Sequence, residues 1–279
     1  MVLAVAGCGG SQTSAGAGAE STVVAAFYPV AWAAEQVAGA DIEVVDLTSP
    51  GAEPHDIELT PRDVERVRDA DLVLYLGRGF QPALQKALES RSGPSLDLLE
   101  GQDLLAGADE EQGAYDPHVW LDPARFAELV NAIGTELNRE QAAAGLSSEL
   151  RALDEEMTTG LASCRRRELV TSHAAFGYLA KRSGLRQIAL TGLAPEAEPS
   201  ARDLEALIDE VRRSGATTVF FETLVSPKLA ETVAREVGVK TAVLNPLEGL
   251  TADEITAGDD YFSVMRANLA TLRDALGCR

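Results

Sequence analysis

Two kinds of segment alternate along most of this 279-residue chain, and the alternation restricts the possible fold more than any other sequence feature. Short runs rich in β-branched and aromatic residues predict strands at 22–27, 42–47, 72–76, 169–172, 187–190, 217–221 and 241–244. Amphipathic segments between them predict helices, and Thr60 before Pro61 has the residue types of a helix N-cap and first turn. Because strands and helices in alternation form parallel sheets covered by helices, we predict an α/β fold.

One stretch, residues 123–163, interrupts the alternation because it contains no strand candidate. Residues 146–161 predict one continuous helix, which would span ~25 Å. We therefore predict two similar lobes with parallel-rich sheets, joined by a single long, rigid backbone helix. The expected boundaries are a flexible N-terminal segment at 1–21, a first lobe at 22–144, the connecting helix at 145–163 and a second lobe at 164–279.

The charge balance argues against several classes of partner. The chain carries 44 Asp and Glu against 24 Lys and Arg, a formal net charge of −20. Such a charge repels phosphate backbones, so we do not expect nucleic-acid binding, although diffuse acidity is also an ordinary means of staying soluble. No apolar run in the body of the chain approaches the ~20 residues of a membrane-spanning helix.

The first residues have a different character. Val5-Ala6-Gly7-Cys8 resembles the lipobox of bacterial lipoproteins, which implies that Cys8 becomes a lipidated N-terminus. Few residues precede Cys8, so either the chain begins inside its signal or the resemblance is accidental. The Gly-, Ser- and Ala-rich residues that follow have the composition of a flexible tether and favour the first interpretation.

The chain has only three histidines, His55, His118 and His173. All three lie in loops or where a strand gives way to a helix, and the carboxyl ends of parallel strands are where ligands bind in open α/β sheets. A single such histidine is often only a solvated or hydrogen-bonded polar residue. Three imidazoles and a carboxylate would form a tetrahedral, zinc-like cage, so we expect the three to meet in one crevice.

Four stretches carry a specific family resemblance. They are Pro54-His55-Asp56, the segment DPHVWLDP at 116–123, the segment SHAAFGYL at 172–179, and the segment GDDYFSVMRAN at 258–268. In order and spacing they are similar to the metal-binding stretches of the zinc and manganese solute-binding lipoproteins of ABC importers (cluster A-I). The resemblance runs from about residue 22 to the end of the chain, and it implies two α/β lobes with the metal between them.

The resemblance also implies the ligands. His55 and His118 would come from the first lobe, and His173 and Asp259 from the second, with Asp260 as the neighbouring alternative to Asp259. Metal-bound imidazoles usually donate their other N–H to a carboxylate or carbonyl, and Glu222 at a strand end is the candidate for that role or for an additional ligand. Glu222 would otherwise be a surface carboxylate.

Zn²⁺ is the predicted ion, with Mn²⁺ as the alternative, because a histidine at position 173 favours zinc over manganese. The predicted function is extracytoplasmic capture of zinc, by a monomer held at the membrane through an N-terminal lipid or free in the periplasm, for delivery to an ABC permease. A zinc-dependent hydrolase and a surface adhesin are the alternatives. We expect no enzymatic activity, since the chain has no HExxH, GxSxG or Walker motif.

Two cysteines remain, Cys164 and Cys278. In an exported protein they most simply form a disulfide, and the alternative is two free thiols.

Overall fold

Two four-stranded parallel sheets form the framework of the computed structural model, which describes residues 21–107, 114–195 and 199–279. The first sheet consists of β1 (Ser21–Ala25), β2 (Ile42–Asp46), β3 (Leu72–Tyr75) and β4 (Ser95–Asp97), in the order β2-β1-β3-β4. The second consists of β5 (Glu168–Thr171), β6 (Arg186–Ala189), β7 (Thr218–Phe221) and β8 (Lys240–Val243), in the order β6-β5-β7-β8. The two sheets therefore share one topology, which confirms the predicted pair of similar parallel lobes.

Ten α-helices occupy the described residues. Their bounds are α1 (Tyr28–Ala38), α2 (Pro61–Asp69), α3 (Pro82–Leu88), α4 (Pro123–Glu136), α5 (Glu140–Ala162), α6 (Gly177–Ser183), α7 (Ala201–Ser214), α8 (Lys228–Val237), α9 (Ala252–Ala257) and α10 (Tyr261–Leu276). Local sequence sets several of these starts. At α2 the Thr60 hydroxyl accepts the Asp63 N–H, and the Asp63 carboxylate accepts the Thr60 N–H, which forms a capping box.

The 23-residue helix α5 connects the two halves of the chain. It begins at Glu140, ahead of the predicted start, and Gly145 lies within it because the residues on both sides favour a helix. Its apolar side chains recur every three or four residues, as an amphipathic helix requires, and the buried ones include Leu146, Leu150, Leu153, Met157 and Leu161.

A single hydrophobic cluster runs through both halves of the molecule. It joins β1 and β3 to α4 and α5 and continues into the second lobe through residues such as Phe220, Tyr261 and Leu272. A second, smaller cluster packs α7 and α8 against the second sheet around Val170 and Val219. Because the main core is shared, the lobes do not pack as independent units.

Cys164 and Cys278, which are 114 residues apart, form a disulfide that joins the end of α5 to the end of α10. This is the predicted pairing. Cys8 lies outside the described residues.

Among the described residues, no helix combines the length and the apolar character that crossing a bilayer requires.

Candidate metal centre

Four side chains meet between the two sheets, at the carboxyl ends of their strands. His55 lies in the loop after β2, and His118 precedes a short 3₁₀ turn (Val119–Leu121) that leads into α4. His173 follows β5, and Glu248 lies in the loop after β8. The structure thus brings the three predicted histidines together, and a glutamate accompanies them.

The ligand atoms of this group lie close together. Glu248 Oε1 lies 3.0 Å from His118 Nε2, 3.1 Å from His173 Nε2 and 3.3 Å from His55 Nε2. The Nε2 atoms of His118 and His173 are 3.4 Å apart, and all four residues offer ligand atoms within 4.8 Å of one another. His118, His173 and Glu248 are fully buried, whereas His55 is 8% exposed. A group at this depth is reached most easily from the His55 side.

The carboxylate in this group differs from the prediction. We expected Asp259, with Asp260 as the alternative, but the group that the described residues form contains Glu248. Asp259 Oδ1 accepts a hydrogen bond from the Ser263 hydroxyl at 3.0 Å, and Asp260 caps α10 by accepting the Ser263 N–H at 2.8 Å. Both aspartates are therefore engaged at the start of α10, one helix further along the chain than the loop of Glu248.

Asparagine side chains shape the loop that carries Glu248. The Asn268 side chain accepts the N–H of Asn245 at 2.9 Å and donates to its carbonyl at 2.7 Å. The Asn245 side chain in turn accepts the N–H of Leu247 at 2.7 Å, and Leu247 has a φ of 57°, which is rare for a leucine. Asn268 belongs to the predicted fourth stretch, so this stretch supports the loop of Glu248 from α10.

Two of the imidazoles are held from behind by carboxylates. Asp116 Oδ1 lies 2.7 Å from His118 Nδ1 and also accepts the His118 backbone N–H at 2.9 Å. Glu222 Oε1 lies 2.7 Å from His173 Nδ1 and accepts the Ser172 hydroxyl at 2.5 Å. An N–H donated from Nδ1 leaves Nε2 as the atom that faces the other three groups. The structure thus places Glu222 behind His173, which is one of the two positions predicted for it.

His55 is held differently, through its backbone. The buried side chain of Gln81 donates to the carbonyls of Pro54 at 3.1 Å and Ala26 at 3.3 Å, which ties the His55 loop to the end of β1. Glu53 accepts the His55 N–H at 3.0 Å. Sequence reasoning did not identify Gln81, because a lone glutamine carries no recognisable signal.

Burial and charge act in opposite directions on the pKa values of the group. Burial lowers the pKa of His55. Burial also opposes protonation of His118 and His173, but Asp116 and Glu248 outweigh it at His118, and Glu248 and Glu222 outweigh it at His173, so both pKa values are raised. Burial alone would raise the pKa of Glu248, but the surrounding imidazoles hold it well below the usual range. The surroundings thus favour the ionised form of Glu248 and oppose the loss of a proton from His118 and His173, but not from His55.

The donor set is suited to a metal cation. Among the described residues, Glu248 Oε2 and Glu222 Oε2 are buried without a hydrogen-bond partner, which is costly for a carboxylate. Four atoms at the corners of a tetrahedron about 2.0–2.1 Å from a central zinc ion would be about 3.3–3.4 Å apart. Four of the six separations in this group are 3.0 to 3.4 Å, which is close to that spacing, and all six are within 4.8 Å.

Comparison with known proteins gives a consistent result. The family model of the periplasmic zinc-uptake complex component A, ZnuA, matches residues 23–275. The zinc-binding protein AdcA of Streptococcus pyogenes serotype M1 is 38% identical over 283 residues, which cover 90% of this chain and 55% of AdcA. The chain thus spans about half the length of the first curated relatives it matches. The high-affinity zinc uptake system protein ZnuA of Bacillus subtilis is 35% identical, with 98% of this chain and 94% of that protein covered.

Solved structures are similar over the whole fold. The Zn(II)-bound ZnuA-like domain of Streptococcus pneumoniae AdcA has a TM-score of 0.77 and 36% identity, covering 92% of this chain and 99% of that domain. The laminin-binding protein of Streptococcus agalactiae, described as having adhesin and metal-transporting activity, has a TM-score of 0.83 and 31% identity, with the same coverage of both chains.

Proposed function

The chain belongs to the ZnuA family of periplasmic zinc-uptake components, and on that premise we propose that it captures one zinc ion outside the cytoplasm and passes it to an importer. The proposal depends chiefly on the convergence of three imidazole nitrogens and one carboxylate oxygen, whose ligand atoms all lie within 4.8 Å of one another, with the carboxylate oxygen 3.0 to 3.3 Å from each nitrogen. The proposed ligands are His55, His118, His173 and Glu248. Glu248 replaces Asp259 in the set that we expected from the sequence.

Zinc suits these donors better than manganese does. Three neutral imidazoles and one carboxylate form a set in which nitrogen predominates, whereas manganese prefers carboxylate, carbonyl and water oxygens. One carboxylate ligand leaves a net charge of +1 on the bound unit, and Asp116 and Glu222 lie directly behind two of the imidazoles to offset it. These carboxylates favour a divalent cation in a site that is otherwise buried.

The same arrangement favours carriage over catalysis. A catalytic zinc keeps three protein ligands and an open position for water, with a general base nearby. Here a fourth protein group lies among the imidazoles, and Glu222, the base that a hydrolase would need, is hydrogen bonded to His173. That geometry supports a solute-binding role without enzymatic activity.

Competitive titration tests the capture site. Residues 21–279 would be stripped of metal and titrated with zinc and with manganese against a chromophoric chelator. We expect one tight zinc ion per chain, weaker manganese binding, and loss of tight binding in His173→Ala. Tighter binding of manganese than of zinc would mean that manganese is the captured ion. The absence of any stoichiometric metal would overturn the proposal.

The proposed partner is an ABC permease in the membrane, since the family is a component of a zinc-uptake complex. In proteoliposomes that contain the permease and its ATPase, the zinc-loaded protein should stimulate ATP hydrolysis and zinc entry, and Glu248→Gln should not. Equal stimulation by both proteins would show that delivery does not depend on this site.

We also propose that the protein acts as a monomer, anchored through a lipid on Cys8. Light scattering coupled to gel filtration should give the mass of one chain.

Fatty-acid labelling in a bacterial host, with the chain expressed behind an export signal, should depend on Cys8 and disappear in Cys8→Ala. Labelling that persists in this variant would exclude Cys8 as the anchor.

A further inference from the structure

The side chain of Tyr178 crosses from one lobe to the other beside the metal centre. Tyr178 lies in the first turn of α6, in the second lobe, and only 1% of it is exposed. Its ring packs under Arg125 of α4, with the guanidinium carbon 5.0 Å from the ring centroid. Its hydroxyl accepts the Leu105 N–H at 2.9 Å and donates to the Asp116 carbonyl at 2.8 Å. All three of these contacts are with the first lobe.

The hydroxyl completes a pairing between two backbone segments of the first lobe. The Asp116 N–H donates directly to the Leu105 carbonyl at 2.9 Å. In an antiparallel pair the Leu105 N–H would return a hydrogen bond to the Asp116 carbonyl. Here the phenol oxygen lies between these two groups and bonds to both. The backbone of Asp116 therefore depends on a side chain of the opposite lobe.

Asp116 is also the residue that holds His118. Its Oδ1 lies 2.7 Å from His118 Nδ1, and it accepts the His118 N–H. The other carboxylate oxygen faces α6, where a Cβ added to Gly177 would lie 2.6 Å from it. The absence of a side chain at Gly177 thus allows α6 to approach the carboxylate that supports His118. His173 lies just before α6 on the same segment.

We propose that Tyr178 is a positioning residue, whose hydroxyl holds the Asp116–His118 pair of one lobe in register with His173 of the other and thereby slows the release of zinc. This inference rests on the proposed function, because it requires zinc at the site. Tyr178 does not touch the metal. It acts through Asp116, whose carboxylate fixes the orientation of the His118 ring.

Tyr178→Phe tests this role with the smallest possible change, because it removes one oxygen and keeps the ring beside Arg125. Zinc dissociation would be followed by stopped flow against a chelator, and we expect it to accelerate about 3- to 10-fold, below the 10- to 100-fold typical of a direct partner of a ligand. Tyr75→Phe, which removes a phenol oxygen from β3 in the first sheet, is the matched control and should leave the rate within about twofold.

A double-mutant cycle separates positioning from general stabilisation. If Tyr178 acts through Asp116, then Tyr178→Phe should have less than about a twofold effect when Asp116→Asn is already present. The cobalt-substituted protein gives a second readout, because loosening of His118 should alter its visible absorption bands. In Gly177→Ala the added methyl group would press on the Asp116 carboxylate from α6, so this variant should also release zinc faster. Because alanine is a better helix former than glycine, faster release could not be attributed to a weaker helix.

The outcomes distinguish this inference from the proposed function. If the unmodified protein binds no zinc, the proposed function fails. If it binds zinc tightly but Tyr178→Phe changes only thermal stability, or has effects additive with those of Asp116→Asn, the site remains and the positioning role is overturned.

Discussion

The three imidazoles of the metal centre are supported unequally. His118 and His173 each have a carboxylate at Nδ1 and are fully buried. His55 is slightly exposed, and among the described residues no carboxylate bonds to its Nδ1; its position depends on backbone contacts through Gln81 and Glu53. The rings of His118 and His173 are therefore fixed before a metal arrives, whereas the orientation of His55 has fewer constraints.

The identity of the carboxylate ligand is testable by a matched pair of substitutions. Glu248→Gln keeps the shape of the side chain but removes its charge, so we expect zinc affinity to fall by at least about 100-fold, since loss of a mere partner of a ligand costs about 10- to 100-fold. Asp259→Asn, at the start of α10, should change the affinity by less than about threefold. The reverse pattern in competitive titrations would restore the original sequence-based prediction.

Zinc binding should also release protons. The pKa values of His118 and His173 are raised by the carboxylates around them, so these rings carry protons in the metal-free protein at pH values above their ordinary 6.5. Ligation requires neutral rings, and affinity must therefore fall as the pH is lowered, beginning above pH 6.5. Calorimetry at pH 7 in buffers of different ionisation enthalpy should detect the released protons. An affinity that stays flat from pH 8 to pH 5 would exclude this coupling.

At the residue scale, rarity decided what the sequence could predict. The chain has three histidines but 44 acidic residues, so a histidine at a strand end stands out and an acidic residue does not. Glu248 lies in the loop after β8, further from its strand end than His173 is from the end of β5, so its proximity to a strand end is a weaker signal. The choice of Asp259 rested on the family resemblance alone. There the predicted ligand depends on how the loop of Glu248 and α9 are aligned with the family, because several acidic residues lie in this part of the chain.

At the scale of single elements, the disulfide joins the ends of α5 and α10 near the amino end of β5, whereas the metal centre lies at the carboxyl ends of the strands. Cys164 lies just before β5 begins, whereas His173 lies just after it ends. A cross-link over 114 residues restricts the unfolded chain and should contribute about 2–4 kcal/mol to stability.

The variant with Ser at both Cys164 and Cys278 should therefore unfold at a temperature lower by about 5–15 °C in calorimetry. Its zinc affinity should remain within about twofold, because the covalent link is remote from the ligands. The test is informative only if Cys164 and Cys278 are joined in the unmodified protein, which peptide mapping after alkylation under denaturing conditions would establish separately from the thiol of Cys8. An unchanged melting temperature would mean that the bond adds nothing to the fold.

Elements with a clear local signal were predictable, including the four-residue strands β5, β6 and β8, but β4 and α9 were not. The helix α2 begins at Pro61, where the sequence predicts a helix start, since proline, a capping threonine and amphipathic spacing agree there. By contrast, β4 has three residues and α9 has six, which is too few for either hydrophobic period to emerge from the sequence. Their existence depends on tertiary contacts, as when β4 pairs with β3 at the edge of the first sheet.

At the scale of the whole molecule, the shared core limits how the lobes can move. The hydrophobic cluster that includes β1 and α5 continues to Phe220 and Leu272 of the second lobe, so a wide opening would expose apolar surface to water. Trp120 Nε1 also donates to the Pro246 carbonyl at 2.8 Å, which links the segment of His118 to the loop of Glu248.

Removal of zinc should consequently shift loops rather than separate the lobes. We expect small-angle scattering to give radii of gyration for the zinc-loaded and metal-free protein that differ by less than about 1 Å, as for other preorganised binding sites. A larger expansion in the metal-free protein would show that the common core opens and that zinc, rather than packing, holds the lobes together.

The most direct measurement is a crystal structure of the zinc-loaded protein with anomalous data collected on both sides of the zinc absorption edge. We predict one strong anomalous peak between the sheets, from a zinc ion bonded to Nε2 of His55, His118 and His173 at about 2.0–2.1 Å and to the carboxylate of Glu248. A peak coordinated by Asp259, or zinc found only at surface carboxylates, would contradict the proposed centre.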